Sequence, residues 1–280
     1  MDKNTLIIDI RNALYRAAYA YLVSPNQRPN NHPFIVLLRQ MHSWNNAIRP
    51  GRIIVAWDAP RKTVWRRKIL PTYKDRDNND YIADMSETLE ELTTICNEFF
   101  RYMNIYQLSM KRMEADDLIY ASVDTLHPEN SIIVSTDSDM IQIPYKFSSA
   151  SVFDPTKMDC VPVPTVNPVM LKALTGDKSD KIDGYRGIGP KRGVKLLEGH
   201  SALQEYTTTQ GRDLFIRNLL LIDLSLNPHL LSNKLHVCKV LSKPIEFNKG
   251  ELYTLISKYK IAGLMSEFDD LISPFAKIGK

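Results

Sequence analysis

The chain has 280 residues, 44% of them hydrophobic and 24% charged, with a formal net charge of +4. That length supports one large or two ordinary domains with their own core, and the mild excess of cations suits an anionic partner without requiring one. No run of about 18 apolar residues is present to cross a membrane, and Cys96, Cys160 and Cys238 are too scattered for a disulfide framework or a Cys/His zinc site.

Met1-Asp2-Lys3-Asn4 passes straight into a strand without the build of a signal peptide, so a cytoplasmic protein is expected. Thr5-Leu6-Ile7-Ile8-Asp9-Ile10 is a short apolar run that predicts a buried parallel strand with Asp9 at its carboxyl end. A helix over Asn12 to Tyr21 follows, then a Pro- and Asn-rich loop from Ser24 to Pro33 and a second helix from Phe34 to Ala47. Arg52-Ile53-Ile54-Val55-Ala56-Trp57-Asp58 is again a hydrophobic strand closed by an aspartate. The next segment differs in kind. Arg61, Lys62, Arg66, Arg67 and Lys68 crowd around Trp65, and Pro71-Thr72-Tyr73-Lys74-Asp75-Arg76 comes after them. Cations interleaved with aromatics suit a nucleic-acid single strand, tracking phosphates while rings stack on bases; the plainer alternative is a solvated charged helix. Asp77 to Glu91 is polar and mainly acidic and leads into a helix with Leu92, Ile95, Phe99 and Phe100 on its apolar face.

Met113-Glu114-Ala115-Asp116-Asp117-Leu118-Ile119-Tyr120 places three carboxylates within four positions, where a polar loop becomes an apolar helix. An acidic first turn is ordinary in itself, because it complements the helix dipole and caps free N–H groups. Ser131-Ile132-Ile133-Val134-Ser135-Thr136-Asp137 is a third strand ending in aspartate, followed by Ser138-Asp139. Strands alternating with helices predict a parallel α/β sheet, and such sheets bind ligands outside the carboxyl ends of their strands. Any one of Asp9, Asp58 and Asp137 reads as a helix cap; three at one rim read as a site.

Ser151-Val152-Phe153 and Cys160-Val161-Pro162-Val163 predict a hairpin around Asp154-Pro155-Thr156-Lys157. A short helix from Asn167 to Leu174 then delivers Gly176-Asp177-Lys178-Ser179-Asp180. In Gly187-Ile188-Gly189-Pro190-Lys191-Arg192-Gly193-Val194-Lys195, the glycines permit a tight turn with exposed N–H groups and Pro190 fits a first helical turn. Helix, glycine hairpin and basic helix make a backbone-phosphate grip that ignores base sequence. Beyond Ser201 the chain reads as helices, notably Asn218 to Leu226 and Leu252 to Leu264. The tail Leu271-Ile272-Ser273-Pro274-Phe275 reads either as a partner-docking motif or as a packed or frayed end. Two carboxylates about 4 Å apart repel by roughly 4 kcal/mol at an effective dielectric near 20. A convergent set therefore needs cations or protons, and all-oxygen ligands select Mg²⁺ or Mn²⁺ over zinc.

Taken in this order, the blocks Glu114-Ala115-Asp116-Asp117, Ser135-Thr136-Asp137-Ser138-Asp139, Gly176-Asp177-Lys178-Ser179-Asp180 and Gly187-Ile188-Gly189-Pro190-Lys191-Arg192 resemble the structure-specific 5′ nucleases. That family includes flap endonucleases, the 5′-nuclease domain of bacterial DNA polymerase I, and phage enzymes. Trp65-Arg66-Arg67, Tyr73-Lys74 and Asn218 to Asp223 are most similar to its T-even phage ribonuclease H branch. The resemblance implies a PIN-like α/β core, with a central largely parallel sheet flanked by helices over residues 1–165 and a helical-arch insertion at 60–100. It implies a helical DNA-binding domain with a helix–hairpin–helix over 166–280.

By the same resemblance Asp9, Asp58, Glu114 and Asp116 hold a first metal, directly or through water, and Asp137, Asp139, Asp177 and Asp180 a second, with Asp116 or Asp117 near both. Lys74, Asp116 and Asp137 are the implied catalytic residues. Tyr73 and Lys74 match arch residues that meet a flipped base and the scissile phosphate, with Arg66, Arg67 and Arg76 as arch cations. Gly187, Gly189, Lys191, Arg192 and Lys195 form the duplex grip. One departure is that relatives place an arginine three residues after the lysine, where this chain has Asp77 with Arg76 one earlier. The implied activity is 5′→3′ exonuclease and flap endonuclease action on DNA 5′ ends and flaps and on RNA primers in RNA–DNA hybrids. It proceeds by two-metal hydrolysis to 5′-phosphate and 3′-hydroxyl products, in replication primer removal. Two Mg²⁺ ions (Mn²⁺ substituting), a K⁺ ion at the hairpin, a monomeric state and a sliding clamp or single-strand-binding partner complete what it implies, in the host cytoplasm if the protein is phage-encoded. A PIN-like single-strand ribonuclease and a junction-binding protein without turnover remain the alternatives.

Overall fold

The computed structural model describes residues 4–23, 32–75, 83–127, 129–199, 211–261 and 263–278, together with 204 and 208. Five short segments run parallel in one sheet: β1 (Thr5–Asp9), β2 (Arg52–Ala56), β3 (Tyr106–Leu108), β4 (Ser131–Val134) and β5 (Ala150–Asp154). A sixth, β6 (Asp159–Cys160), returns antiparallel along the edge, giving the order β3-β2-β1-β4-β5-β6. From β1 the chain adds strands first on one side and then on the other. That reversal opens a crevice at the carboxyl ends of β1 and β4, where open α/β sheets hold ligands.

β1 is apolar from Leu6 to Ile8 because both of its faces are covered. Leu6 and Ile8 enter one core with α1 (Ile10–Val23), α2 (Pro33–Ile48) and α3 (Ala83–Phe99). Ile7, between them, enters a second core with α4 (Ala115–Leu126) and α5 (Gln142–Lys146). Side chains alternate across the pleat, so adjacent residues serve opposite layers. A third core lies beyond the carboxyl edge. There Val64 and Tyr73, from the turns after β2, meet Ala173 and Leu174 of α6 (Pro168–Thr175) and Phe215, Leu221 and Ile222 of α8 (Arg212–Ile222). Between those helices come a two-stranded ribbon, β7 (Gly176–Asp177) and β8 (Ile182–Asp183), and α7 (Pro190–Glu198). α9 (Leu230–Leu241) returns to the second core through Val237, and α10 (Lys249–Lys258) with the short α11 (Gly263–Ser266) and α12 (Phe268–Leu271) returns to the first.

The expected α/β architecture of a largely parallel sheet flanked by helices is the one observed. Several element boundaries differ. β4 stops at Val134 instead of running to Asp137, and beyond it the Ser135 hydroxyl donates to Asp9 Oδ2 and accepts the Asp137 N–H. Ser151 to Phe153 makes the expected hairpin with Cys160, but it also pairs in parallel with β4. The helix expected through Leu226 breaks at Asp223, whose carboxylate caps a 3₁₀ turn over Leu224–Leu226. The helix expected through Leu264 ends at Lys258. Leu271, Ile272 and Phe275 are buried in the first core, which removes the tail from consideration as a docking motif. No helix among the described residues is long and apolar enough to cross a membrane.

Candidate active site: two carboxylate groups at the sheet edge

Each strand-end aspartate is also a cap. Asp9 Oδ1 accepts the Asn12 N–H at 3.1 Å at the start of α1, while its Oδ2 accepts the Ser135 hydroxyl at 3.1 Å. Asp58 Oδ1 accepts the Ala115 N–H of α4 at 2.8 Å, and Arg11 Nε stands 3.9 Å from Oδ2. Asp137 Oδ1 accepts the Asp139 N–H at 2.9 Å in the 3₁₀ turn Ser138–Ile141. Capping and forming a site are therefore compatible: each accepting oxygen keeps a second lone pair, and all three residues line a cleft of about 320 Å³ with Glu114, Asp116 and Lys74. Burial and the neighbouring charges of Asp58 and Asp137 push Asp9 up to about 7. Burial likewise raises Asp58 and, further, Asp116, where Asp137, Asp9 and Glu114 add repulsion that Lys74 only partly offsets. Such a pocket favours a bound cation.

The N-terminus of α4 separates two neighbours. Asp116 lines the cleft, whereas Asp117 is 1% exposed and its oxygens are already taken. Asp117 accepts from Arg66 Nη2 at 2.9 Å, Arg66 Nη1 at 3.0 Å, Trp65 Nε1 at 3.1 Å and the Glu114 N–H at 3.0 Å. Asp117 is a capping-box and ion-pair residue, which corrects its assignment as a metal ligand. Arg66 is corrected with it. The side chain is 3% exposed, gives Nη1 to Glu114 Oε2 at 2.7 Å and Nε to the Leu221 carbonyl at 2.8 Å, and so presents nothing to a nucleic acid. Tyr73 is 3% exposed within the third core and its hydroxyl reaches Glu114 Oε2 at 3.3 Å, which leaves the ring no face for a flipped base. Burial would raise Glu114, but Arg66 and Lys74 outweigh it and hold that carboxylate below its usual range.

A second group sits beside the first. Asp139, Asp177 and Asp180 bring carboxylate oxygens within 4.8 Å of one another. Gly176 and Gly184 make this possible by holding the ribbon tightly: a Cβ on Gly184 would lie 2.2 Å from the Thr175 carbonyl oxygen, and Gly176 has φ +75°. Lys172, on α6, contacts both Asp139 and Asp177. Its cation and the Ser179 hydroxyl hold Asp177 at about 2 against the effect of burial, while burial raises Asp139 and Asp180. Lys74 links the two groups, its Nζ 2.8 Å from Glu114 Oε1 and 3.8 Å from Asp180 Oδ2, with its backbone at φ 51°.

The remaining candidates are more dispersed. Arg67 is partly buried and pairs with Asp75 at 3.0 Å; Arg76 lies outside the described residues. Within the expected arch, the described residues 61–75 and 85–99 pack on the body through Trp65, Leu92, Ile95 and Phe99. Lys191, Arg192 and Lys195 are exposed on α7, and the hairpin ahead of it has Gly187 at φ +78° and open space around Gly189. Sequence reasoning missed Lys172, Asn12, Ser135 and Arg11. Asn12 stood at cap spacing from Asp9, and Lys172 stood near the end of the helix that leads into Asp177, but neither position is distinctive.

The 5′-3′ exonuclease, N-terminal resolvase-like domain model matches residues 4–165. The 5′-3′ exonuclease of Mycoplasma pneumoniae is 26% identical over 306 residues, spanning 96% of this chain and 100% of that one. DNA polymerase I of Streptococcus pneumoniae serotype 4 is 30% identical over 174 residues, spanning 56% of this chain and 19% of the polymerase. Among solved structures, a bacteriophage T5 protein co-crystallised with metal ions aligns with TM-score 0.68 at 19% identity, over 93% of this chain and 100% of that one. A T5 flap endonuclease in a pseudo-enzyme–product complex with DNA and metal ions aligns with TM-score 0.66 at 20% identity, over 93% of this chain and 99% of that one. With more than half of its length matched by the family model, and with the sheet topology and carboxylate edge described above, the chain belongs to the 5′-3′ exonuclease family of nucleases.

Proposed function

We propose that this nuclease removes DNA flaps and RNA primers from 5′ ends at junctions, hydrolysing the phosphodiester with two Mg²⁺ ions, for which Mn²⁺ substitutes. The observation that carries the reading is the convergence of two all-oxygen groups on one sheet edge, with Lys74 joining them. Hard oxygen donors whose protonation is pushed upward by burial and mutual repulsion fit hard divalent cations. Asp9, Asp58 and Asp116 would hold one ion, with Glu114, whose oxygens Arg66 and Lys74 occupy, reaching it through water; Asp139, Asp177 and Asp180 would hold the other, with Asp137 between them. Bound there, such ions supply an activated water and neutralise charge on the attacked phosphoryl group.

The chain's own residues do the rest. Lys74 brings an ammonium to the lining of the cleft, suited to the scissile phosphate. Arg66 and Tyr73 serve it indirectly by fixing Glu114. Lys191 and Arg192, at the α7 N-terminus behind the glycine hairpin, and Lys195 in its last turn grip duplex phosphates without reading bases; the hairpin is also where a K⁺ ion would sit. The T5 proteins crystallised with metal ions, one of them with DNA, support the metal and DNA parts of this reading, and the polymerase I relative supports primer removal. The helical region from 166 onward acts in this reading as the DNA-binding part. The test is side-by-side cleavage of end-labelled 5′-flap DNA, nicked duplex, RNA–DNA hybrid and single-stranded RNA. Cutting of the first three to 5′-phosphate products is expected; cutting of single-stranded RNA alone would replace the reading with the PIN-like ribonuclease.

A further inference from the structure

Lys172 was no part of the carboxylate pattern, yet its ammonium contacts Asp139 Oδ1 and Asp177 Oδ2, two of the three acids that make the second group. Those acids arrive from separate elements, Asp139 from the turn after β4 and Asp177 from the ribbon after α6. Asp177 Oδ1 already accepts the Ser179 and Asp180 N–H groups and the Ser179 hydroxyl, so an ion bridging Asp139 and Asp177 meets the ammonium at Asp177 Oδ2. The first group is arranged differently. There Arg66 and Lys74 pair with Glu114 and Arg11 stands 3.9 Å from Asp58 Oδ2, while Asp9, Asp116 and Asp137 line the cleft. Lys172 also borders a cleft of about 470 Å³ with Ile141, Thr175 and Lys178, which gives a displaced side chain somewhere to go.

We infer that Lys172 is an internal competitor for the second divalent ion: its ammonium must leave Asp139 and Asp177 before that ion binds, so it weakens one of the two ion affinities and leaves the other alone. The inference rests on the two-ion reading above. It assigns Lys172 as a positioning residue that acts through the carboxylates.

The test is Mn²⁺ binding alone to the full chain, followed by calorimetry and by the electron paramagnetic resonance of free Mn²⁺, in wild type, Lys172→Met, Lys172→Gln and Asp177→Asn. The wild type is expected to show a tighter and a weaker class of site. Both lysine variants should tighten the weaker class by about tenfold, the scale of one charge-assisted pair, and leave the tighter class in place. Their melting temperatures should fall in chelator and recover in excess Mn²⁺, whereas a purely structural lysine would lower both alike. A weaker class that stays unchanged or loosens in folded Lys172→Gln overturns the inference. If neither variant folds, wild-type acylation mapped by peptide mass decides: Lys172 should become more reactive as Mn²⁺ saturates, and a flat or falling reactivity overturns the proposal. A weaker class that survives Asp177→Asn, or is missing from wild type, instead removes the two-ion reading itself.

Discussion

Asp116 and Asp117 are adjacent in sequence and opposite in circumstance. One full helical step of about 100° separates their side chains, so one lines the cleft and the other closes on Arg66 and Trp65. Asp117→Asn should leave the buried Arg66 charge poorly compensated and cost about 3–5 kcal/mol, the range for breaking a buried pair, read as a large drop in the denaturation midpoint. Asp116→Asn should abolish turnover and leave metal-free stability equal or higher, because it relieves repulsion from Asp137 and Asp9. Equal destabilisation by the two would contradict the assignment. The pH dependence has a definite sign. Asp9 titrates at about 7 in the fold against an ordinary 3.8, so the stability it contributes is complete below pH 3.8 and is lost as pH rises through 7. Metal-free protein should therefore melt lower at pH 8 than at pH 5.5, and Mn²⁺ should raise the melting temperature more at pH 8.

That residues 114–117 mattered was legible from their density of charge. Which of them faced inward was not, since helical phase against a sheet is set by packing partners far along the chain. Arg66 and Arg67 posed the same problem: nothing local distinguishes an arginine that neutralises buried carboxylates from one left at the surface. Cationic composition read as a nucleic-acid contact was, for Arg66, internal electrostatics.

At the scale of elements, the second carboxylate group depends on the ribbon after α6. Gly184 backs directly onto the Thr175 carbonyl, backbone against backbone, so no side-chain rotation can make room for a methyl group. Gly184→Ala should pry β8 from α6, separate Asp180 from Asp177, and lose the weaker Mn²⁺ class while retaining the tighter one. Retention of both classes would show that the ribbon tolerates the added carbon. β1, β2 and α1 through α2 could be read from the sequence because continuous apolar runs and helical spacing are strong signals. β3, three residues long and half-buried, carries too little pattern to be seen, and β5 was read for its turn, so its parallel partner escaped notice. The helices expected from Asn218 and Leu252 were carried too far at their C-terminal ends because a capping aspartate at Asp223 and the turn at Tyr259 interrupt apolar spacing that otherwise continues.

At the scale of the molecule, a doubly covered sheet fixes the rim, and the third core holds the helices of the carboxyl half against that rim through Val64, Tyr73 and the Arg66–Leu221 bond. The exposed cations of α7 are thereby held on the same body as the cleft. Lys191→Ala with Arg192→Ala should weaken duplex binding and flatten the slope of log affinity against log salt by about two, since each phosphate contact contributes roughly 0.9; an unchanged slope would take α7 out of the DNA path.

The most direct measurement is single-turnover cleavage of a 5′-labelled flap by wild type and Asp137→Asn, each with Mg²⁺ and with chelator, alongside binding of the same flap. The account expects cutting only by wild type with Mg²⁺, and binding by both proteins. Cutting in chelator, or undiminished cutting by Asp137→Asn, would contradict it.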